Sequence, residues 1–93
     1  MSSHTLTNFD SNLTVTVNGN VVTSPYALVN GDVIELTRPT GYKSVAIITD
    51  TGSYDTDTTS SPLAVHNSDI RLQAGSIERS PSIAQGYTIN YTA

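Results

Sequence analysis

Leu13-Thr14-Val15-Thr16-Val17-Asn18-Gly19 is the stretch that decides the fold. Apolar and polar residues alternate strictly from Leu13 to Val17, the period-two signature of a strand with one buried face. Asn18-Gly19 follows, a dipeptide suited to a two-residue type I′ turn, because both central positions of that turn need positive φ. Working outward, residues 20–29 read as the return strand. Pro25 inside it cannot donate to a ladder, so the return is either broken at Ser24-Pro25 or lies on a sheet edge. Asn30-Gly31 marks a second turn, residues 32–37 (DVIELT) the next strand, and Pro39-Thr40-Gly41 turns the chain into a further strand over 42–49. The first half reads as an antiparallel meander of about four strands.

Residues 50–61, DTGSYDTDTTSS, lack apolar spacing and read as an exposed loop. Residues 63–66 and 69–73 are shorter strand candidates joined by Asn67-Ser68, and 74–84 is ambiguous, compatible with a long loop that holds a short strand. Residues 87–92 alternate again, which directs Tyr87, Ile89 and Tyr91 to the core with their hydroxyls at its rim. One internal echo is visible: residues 24–32 (SPYALVNGD) and 61–69 (SPLAVHNSD) share Ser, Pro, Ala, Asn and Asp at matching places without a gap. It reads as one hairpin used twice, the two units facing each other across a small sandwich. The competing reading is coincidence in a chain rich in turn residues.

Composition agrees with the pattern. Thr, Ser and Asn fill the polar positions where Glu, Lys and Arg would fill a helical protein, and Thr suits a pleated, half-buried surface. The 93 residues make one domain, divided by this reading into an N-terminal arm (1–11) and a single β domain (12–93). The expected fold is all-β, a small antiparallel β-sandwich or barrel of about six to eight short strands. Its core is expected to draw on Leu13, Val15, Val17, Val22, Leu28, Val33, Leu36, Val45, Ile47, Ile70, Leu72, Tyr87, Ile89 and Tyr91. Net charge is −4, and only 13% of residues are charged. The four basic residues Arg38, Lys43, Arg71 and Arg79 do not cluster, so no nucleic-acid partner is expected. No apolar run approaches the ~20 residues of a membrane-spanning helix, and residues 1–10 have neither the basic nor the apolar region of a secretory signal. Cysteine is absent, which excludes disulfides and thiolate metal sites.

Val45-Ala46-Ile47-Ile48-Thr49-Asp50-Thr51-Gly52-Ser53 resembles the catalytic loop of the aspartic proteases, whose short retroviral-type members carry one such loop per chain and dimerise to pair two carboxylates. That family also needs a later apolar-apolar-Gly segment behind the loop. The nearest match, Ile83-Ala84-Gln85-Gly86, has Gln where the second apolar residue belongs. Asp50-Thr51-Gly52 therefore reads as a turn, with Asp accepting a backbone N–H and Gly at positive φ. Asp50, Asp55 and Asp57 offer oxygens in the manner of a Ca²⁺ loop but lack a glycine-turned ligand frame, so they read as a solvated acidic loop. His4 and His66 have no neighbouring ligand at metal spacing. No Gly-x-Ser-x-Gly elbow or phosphate-cradling Gly loop is present. No metal, no cofactor and no catalytic residue is expected.

Residues 17–36, VNGNVVTSPYALVNGDVIEL, resemble the closing hairpin of S4 RNA-binding domains and of the sulfur-carrier β-grasp proteins. Those families surround the hairpin with helices, and this chain is acidic and helix-poor, so only a hairpin is implied. Over its whole length the chain resembles the small virion proteins of tailed bacteriophages: short, Thr/Ser/Asn-rich, cysteine-free, weakly acidic and all-β. That resemblance implies a non-enzymatic structural protein of the virion that decorates and stabilises the capsid. Its partners would be the major capsid protein or other virion subunits, with a homo-oligomer, a trimer by analogy, as its own state. The alternatives are a tail or fibre module binding a host-surface glycan, or a homodimeric aspartic protease using Asp50. In the first reading, the arm of residues 1–11 orders against a neighbouring subunit through Leu6 and Phe9.

Overall fold

The computed structural model describes residues 4–10, 13–37, 44–56, 58–74 and 86–93, and the chain is an all-β sandwich. The strands are β1 (Thr5–Asn8), β2 (Thr14–Val17), β3 (Asn20–Val21), β4 (Tyr26–Ala27), β5 (Val33–Thr37), β6 (Val45–Thr49), β7 (Gly52–Asp55), β8 (Leu63–His66), β9 (Ile70–Ala74) and β10 (Gly86–Thr92). They form two five-stranded sheets, ordered β4-β1-β9-β6-β7 and β3-β2-β5-β10-β8. The sheets are mixed, because β1 runs parallel to β9 and β10 runs parallel to β8.

The decisive stretch folds as its alternation requires. Val15 and Val17 are buried while Thr14 is exposed, and Asn18 and Gly19 take φ of 53° and 88°. The return strand is broken and also lies on edges: β3 pairs with β2 in one sheet, whereas β4 pairs with β1 in the other. Proline's missing donor explains the break, since neither piece carries a partner on both sides. The expected meander is thereby corrected, because β5 returns to pair with β2 and β10 rather than with its predecessor. The hairpin implied by the S4 and β-grasp resemblance is not formed, since its first arm splits into β3 and β4 and neither piece pairs with β5.

The strand count also exceeds the expectation. Residues 52–55 form β7 against β6, with Asp50 and Thr51 as the turn. Tyr54 is the only large apolar side chain that this strand packs on the core, so its sequence shows no period. The free arm does not hold for residues 5–8. Thr5–Asn8 is β1, held between β4 and β9, with Leu6 only 2% exposed. One buried side chain in four residues gives no recognisable pattern, yet pairing on both edges holds the strand in place.

Twelve of the expected core residues lie buried with Leu6, Ile34 and Val65, and the core joins both sheets. Val33 is a correction: it faces outward at 38% exposure, and Ile34 takes the core place at 0%. Val22 is partly buried. Burying a side chain of Leu or Ile size stabilises by about 2 kcal/mol, so this shared core, rather than any single hairpin, holds the two sheets together.

The echo corresponds to a repeated path, though not to a repeated hairpin. In each half a hairpin (β2–β3, β6–β7) is followed by a Ser-Pro crossover into an edge strand of the opposite sheet (β4, β8). An Asn-containing turn then leads to the central strand of the sheet the hairpin belongs to (β5, β9). Asp32 and Asp69 each precede that central strand. Beyond them the match slips by one place, since Ile34 and Leu36 are buried in β5 but Ile70 and Leu72 in β9.

Candidate functional site

The aspartate that resembled a catalytic group closes the β6–β7 turn. Asp50 Oδ2 accepts the backbone N–H of Asp69 at 3.3 Å, and Oδ1 lies 3.5 Å from Arg71 Nη2. Arg71 also approaches Asp69 at 3.9 Å. The backbone N–H of Asp50 donates to Ser68 Oγ, which in turn donates to the Asp69 carbonyl, both at 2.8 Å. Among the described residues positive φ falls on Asn18, Gly19, Gly31 and Asn67, not on Gly52, which corrects the expected turn geometry. Asp55 is exposed at the end of β7, and Asp57 lies outside the described residues. Among the described residues, no group of three or more His, Asp or Glu side chains is placed to hold a metal ion.

The histidines lie apart in structural contacts. His66 Nδ1 meets Thr92 Oγ1 at 3.0 Å, and His4 Nδ1 meets the Tyr91 hydroxyl at 3.3 Å. Tyr87 donates its hydroxyl to the Ser60 carbonyl at 3.2 Å, so both buried tyrosines reach the rim as their alternation required. Burial raises the Tyr87 phenol above its ordinary value. Tyr91 is raised by burial first and then by the negative charges of Asp69 and Asp32.

Of the two residues assigned to partner binding, Leu6 is taken up by the core, while Phe9 is 61% exposed. Phe9 does not ride on a frayed end. Its N–H donates to the Leu72 carbonyl at 2.8 Å, and Asn8 beside it accepts from Asp10 N and donates to the Leu13 carbonyl. The backbone under the exposed ring is thus fixed.

The two outer faces of the sandwich differ in charge. One carries Arg71 with Asp50, Asp55 and Asp69 at its ends and edges. On the other, strand register places Val21, Thr16, Glu35 and Thr88 in one row, and Val33, Asn90 and Ala64 in the next. Thr92 and His66 pair beyond them. Among the described residues on this face Glu35 and His66 are the only acidic or basic ones, and β-branched side chains dominate. Val21 is 76% exposed. Sequence reasoning did not see this face, because it is assembled from β3, β2, β5, β10 and β8, which are distant in sequence.

No family model matches the chain, and neither a curated protein nor a solved structure matches it.

Proposed function

We propose that the chain is a non-enzymatic structural accessory protein of a bacteriophage virion, decorating and stabilising the capsid. The observation that carries this reading is the nearly charge-free outer face built on β2, β5 and β10. Interface cores are depleted of charged residues, because an ion removed from water must be compensated. A sheet face of Thr, Val and Asn with a single carboxylate among its described residues suits burial against a larger body better than exposure as a free surface. Phe9, fixed and exposed, adds an aromatic anchor of the kind that dominates binding energy at interfaces. The partners in this reading are the major capsid protein or other virion subunits, and copies of the chain itself, with a trimer as the expected state. Quantitative mass spectrometry of purified particles tests it. Copy numbers that match the capsid lattice support the reading, whereas absence from particles, or copy numbers matching a tail, would overturn it.

A further inference from the structure

Each sheet of the sandwich has two edge strands, β4 and β7 in one and β3 and β8 in the other, and they are not equally guarded. Sheets blunt their edges, because a row of unpaired N–H and C=O groups templates pairing with another chain. β3 and β4 are two residues each, with Pro25 just before β4. On β7 the hairpin phase, fixed by the Thr56 N–H donating to the Val45 carbonyl at 3.1 Å, turns the backbone of Ser53 and Asp55 outward. The Asp55 carbonyl is then taken by the N–H groups of Thr58 and Thr59 at 3.2 and 2.9 Å, and its carboxylate charges that end of the strand. β8, four residues long, carries none of these guards among the described residues.

The Asn67 N–H donates to the Thr92 carbonyl at 2.7 Å, and this bond fixes the phase of the parallel ladder between β8 and β10. Leu63, Val65 and Asn67 turn their backbone groups to β10, so those of Ala64 and His66 point out of the sheet. Both residues are exposed. A cleft of about 330 Å³ opens along Ala64, Val65 and His66, with Thr51 and Tyr54 as its other wall. The two segments that line it, 49–54 and 64–68, are described without a break. The window of outward-facing groups is short at both ends. Pro62, the next outward position, has no N–H, and Asn67 at φ 48° turns the chain away before Ser68. From residue 58 to residue 68 the sequence holds no Asp, Glu, Lys or Arg, in a chain whose net charge is −4.

We infer that β8 is a self-pairing edge, joining two copies of the chain strand to strand, antiparallel, about a two-fold axis at Val65. Ala64 of each copy faces His66 of the other and exchanges both backbone hydrogen bonds with it. Every outward-facing group of the window is then paired. A register one residue away sets outward groups against ladder-facing ones. A register two residues away sets them against Pro62 or beyond the Asn67 turn. A second copy is the occupant because the window, read in reverse, is its own complement. Two chains of net charge −4 also meet here with no carboxylate on either strand. β7, with Asp55 in it, offers no such approach. The pairing runs the two β3-β2-β5-β10-β8 sheets into one and closes at two copies, since a two-fold contact is isologous. It rests on backbone geometry and not on the function proposed above.

Light scattering on the full chain tests it, together with amide hydrogen exchange of the nitrogen-15-labelled protein. The concentrations should span a dissociation constant on the order of 0.1 mM, the strength of so short an edge. The mass should rise from 9.9 kDa toward twice that value, and the Ala64 and His66 amides should slow in exchange as it rises. Ala64→Pro and His66→Pro each remove an outward N–H and no bond to β10, so each should weaken pairing about tenfold or more while the fold persists. Ser53→Lys on β7 should change nothing. A mass that stays at 9.9 kDa up to about 1 mM would overturn the pairing. So would undiminished association of both proline variants, or its loss in Ser53→Lys. Fast exchange at Ala64 and His66 in the associated form would also overturn it, and this reading of the unmodified chain decides even where a proline variant fails to fold. A mass three times that of the single chain would overturn the two-fold pairing while leaving the function proposed above standing.

Discussion

Asn18 and Asp32 are joined side chain to side chain, the Asn18 amide nitrogen donating to Asp32 Oδ1 at 2.9 Å. The pair ties the β2–β3 turn to the turn that opens β5. Asp32 is 5% exposed, and its second oxygen accepts the Val29 N–H at 2.9 Å. Asn18 completes the knot by accepting the Val33 N–H through Oδ1 at 2.9 Å. Asn18→Gly keeps the positive φ and removes only the side chain, which isolates the hydrogen bonds from backbone strain. It should cost about 2 kcal/mol, since one of the lost bonds is to a carboxylate. For a domain of this size that lowers the melting temperature by roughly 10 °C. A shift within error of zero in thermal unfolding would show that the two turns are held independently.

Leu6 and Phe9 should separate stability from binding. Leu6 is in the core at 2% exposure, so Leu6→Ala should destabilise by about 3 kcal/mol through lost burial and the cavity left behind. Phe9 is exposed, so Phe9→Ser should change stability by no more than about 0.5 kcal/mol while weakening attachment to particles. Chemical denaturation of both variants and a particle-binding assay of Phe9→Ser check this. Removal of residues 1–11 should unfold the chain rather than merely free it, because β1 is an interior strand, paired with β4 on one side and β9 on the other. A truncated chain with an unchanged melting temperature would contradict the placement of β1.

These two residues also show what the sequence made legible. Strand existence in residues 13–17 and 87–92 was readable because each holds three inward-facing residues in strict alternation. β1 and β7 were not, since each contributes one core side chain and owes its place to neighbours distant in sequence. Val33-Ile34-Glu35-Leu36 admits two alternations, and pairing Val33 with Leu36 mixed them. Glu35 breaks the tie, because a carboxylate held between Thr16 and Thr88 on the open face forces Ile34 and Leu36 inward. The two outer faces were invisible for a different reason. Each is assembled by crossovers between sheets, and no local pattern encodes which strands become neighbours.

Alkaline pH should destabilise the fold through Tyr87 and Tyr91. Both phenols are raised in the folded state, so the folded chain holds these protons more tightly than the unfolded chain does. Their contribution is therefore fully present below the ordinary tyrosine value of about 10 and is lost as pH rises through the raised folded values. Melting temperature followed from neutral to strongly alkaline pH should fall in that window. Tyr91→Phe removes the ionising group and should flatten part of the decline, though it also gives up the contact with His4. A decline equally steep in Tyr91→Phe and Tyr87→Phe variants would show that other groups control alkaline unfolding.

The charge-poor face makes a prediction that the charged face should fail. Val33 lies on the central strand β5 and points outward, so Val33→Lys places an ammonium group in the middle of the proposed contact without touching the core. Its long stem lies along the sheet, so the melting temperature should move by only a few degrees, in line with surface substitutions of about 0.5 kcal/mol. Against a partner the same group must be desolvated without a counter-ion, and that cost should weaken particle association by about tenfold or more. Ser53→Lys on the edge strand β7 of the opposite sheet is the control and should leave association unchanged. Co-sedimentation of each variant with particles lacking the native chain reads the result. If Ser53→Lys detaches the protein while Val33→Lys does not, the charged sheet is the docking face and the β2–β5–β10 surface is turned toward solvent.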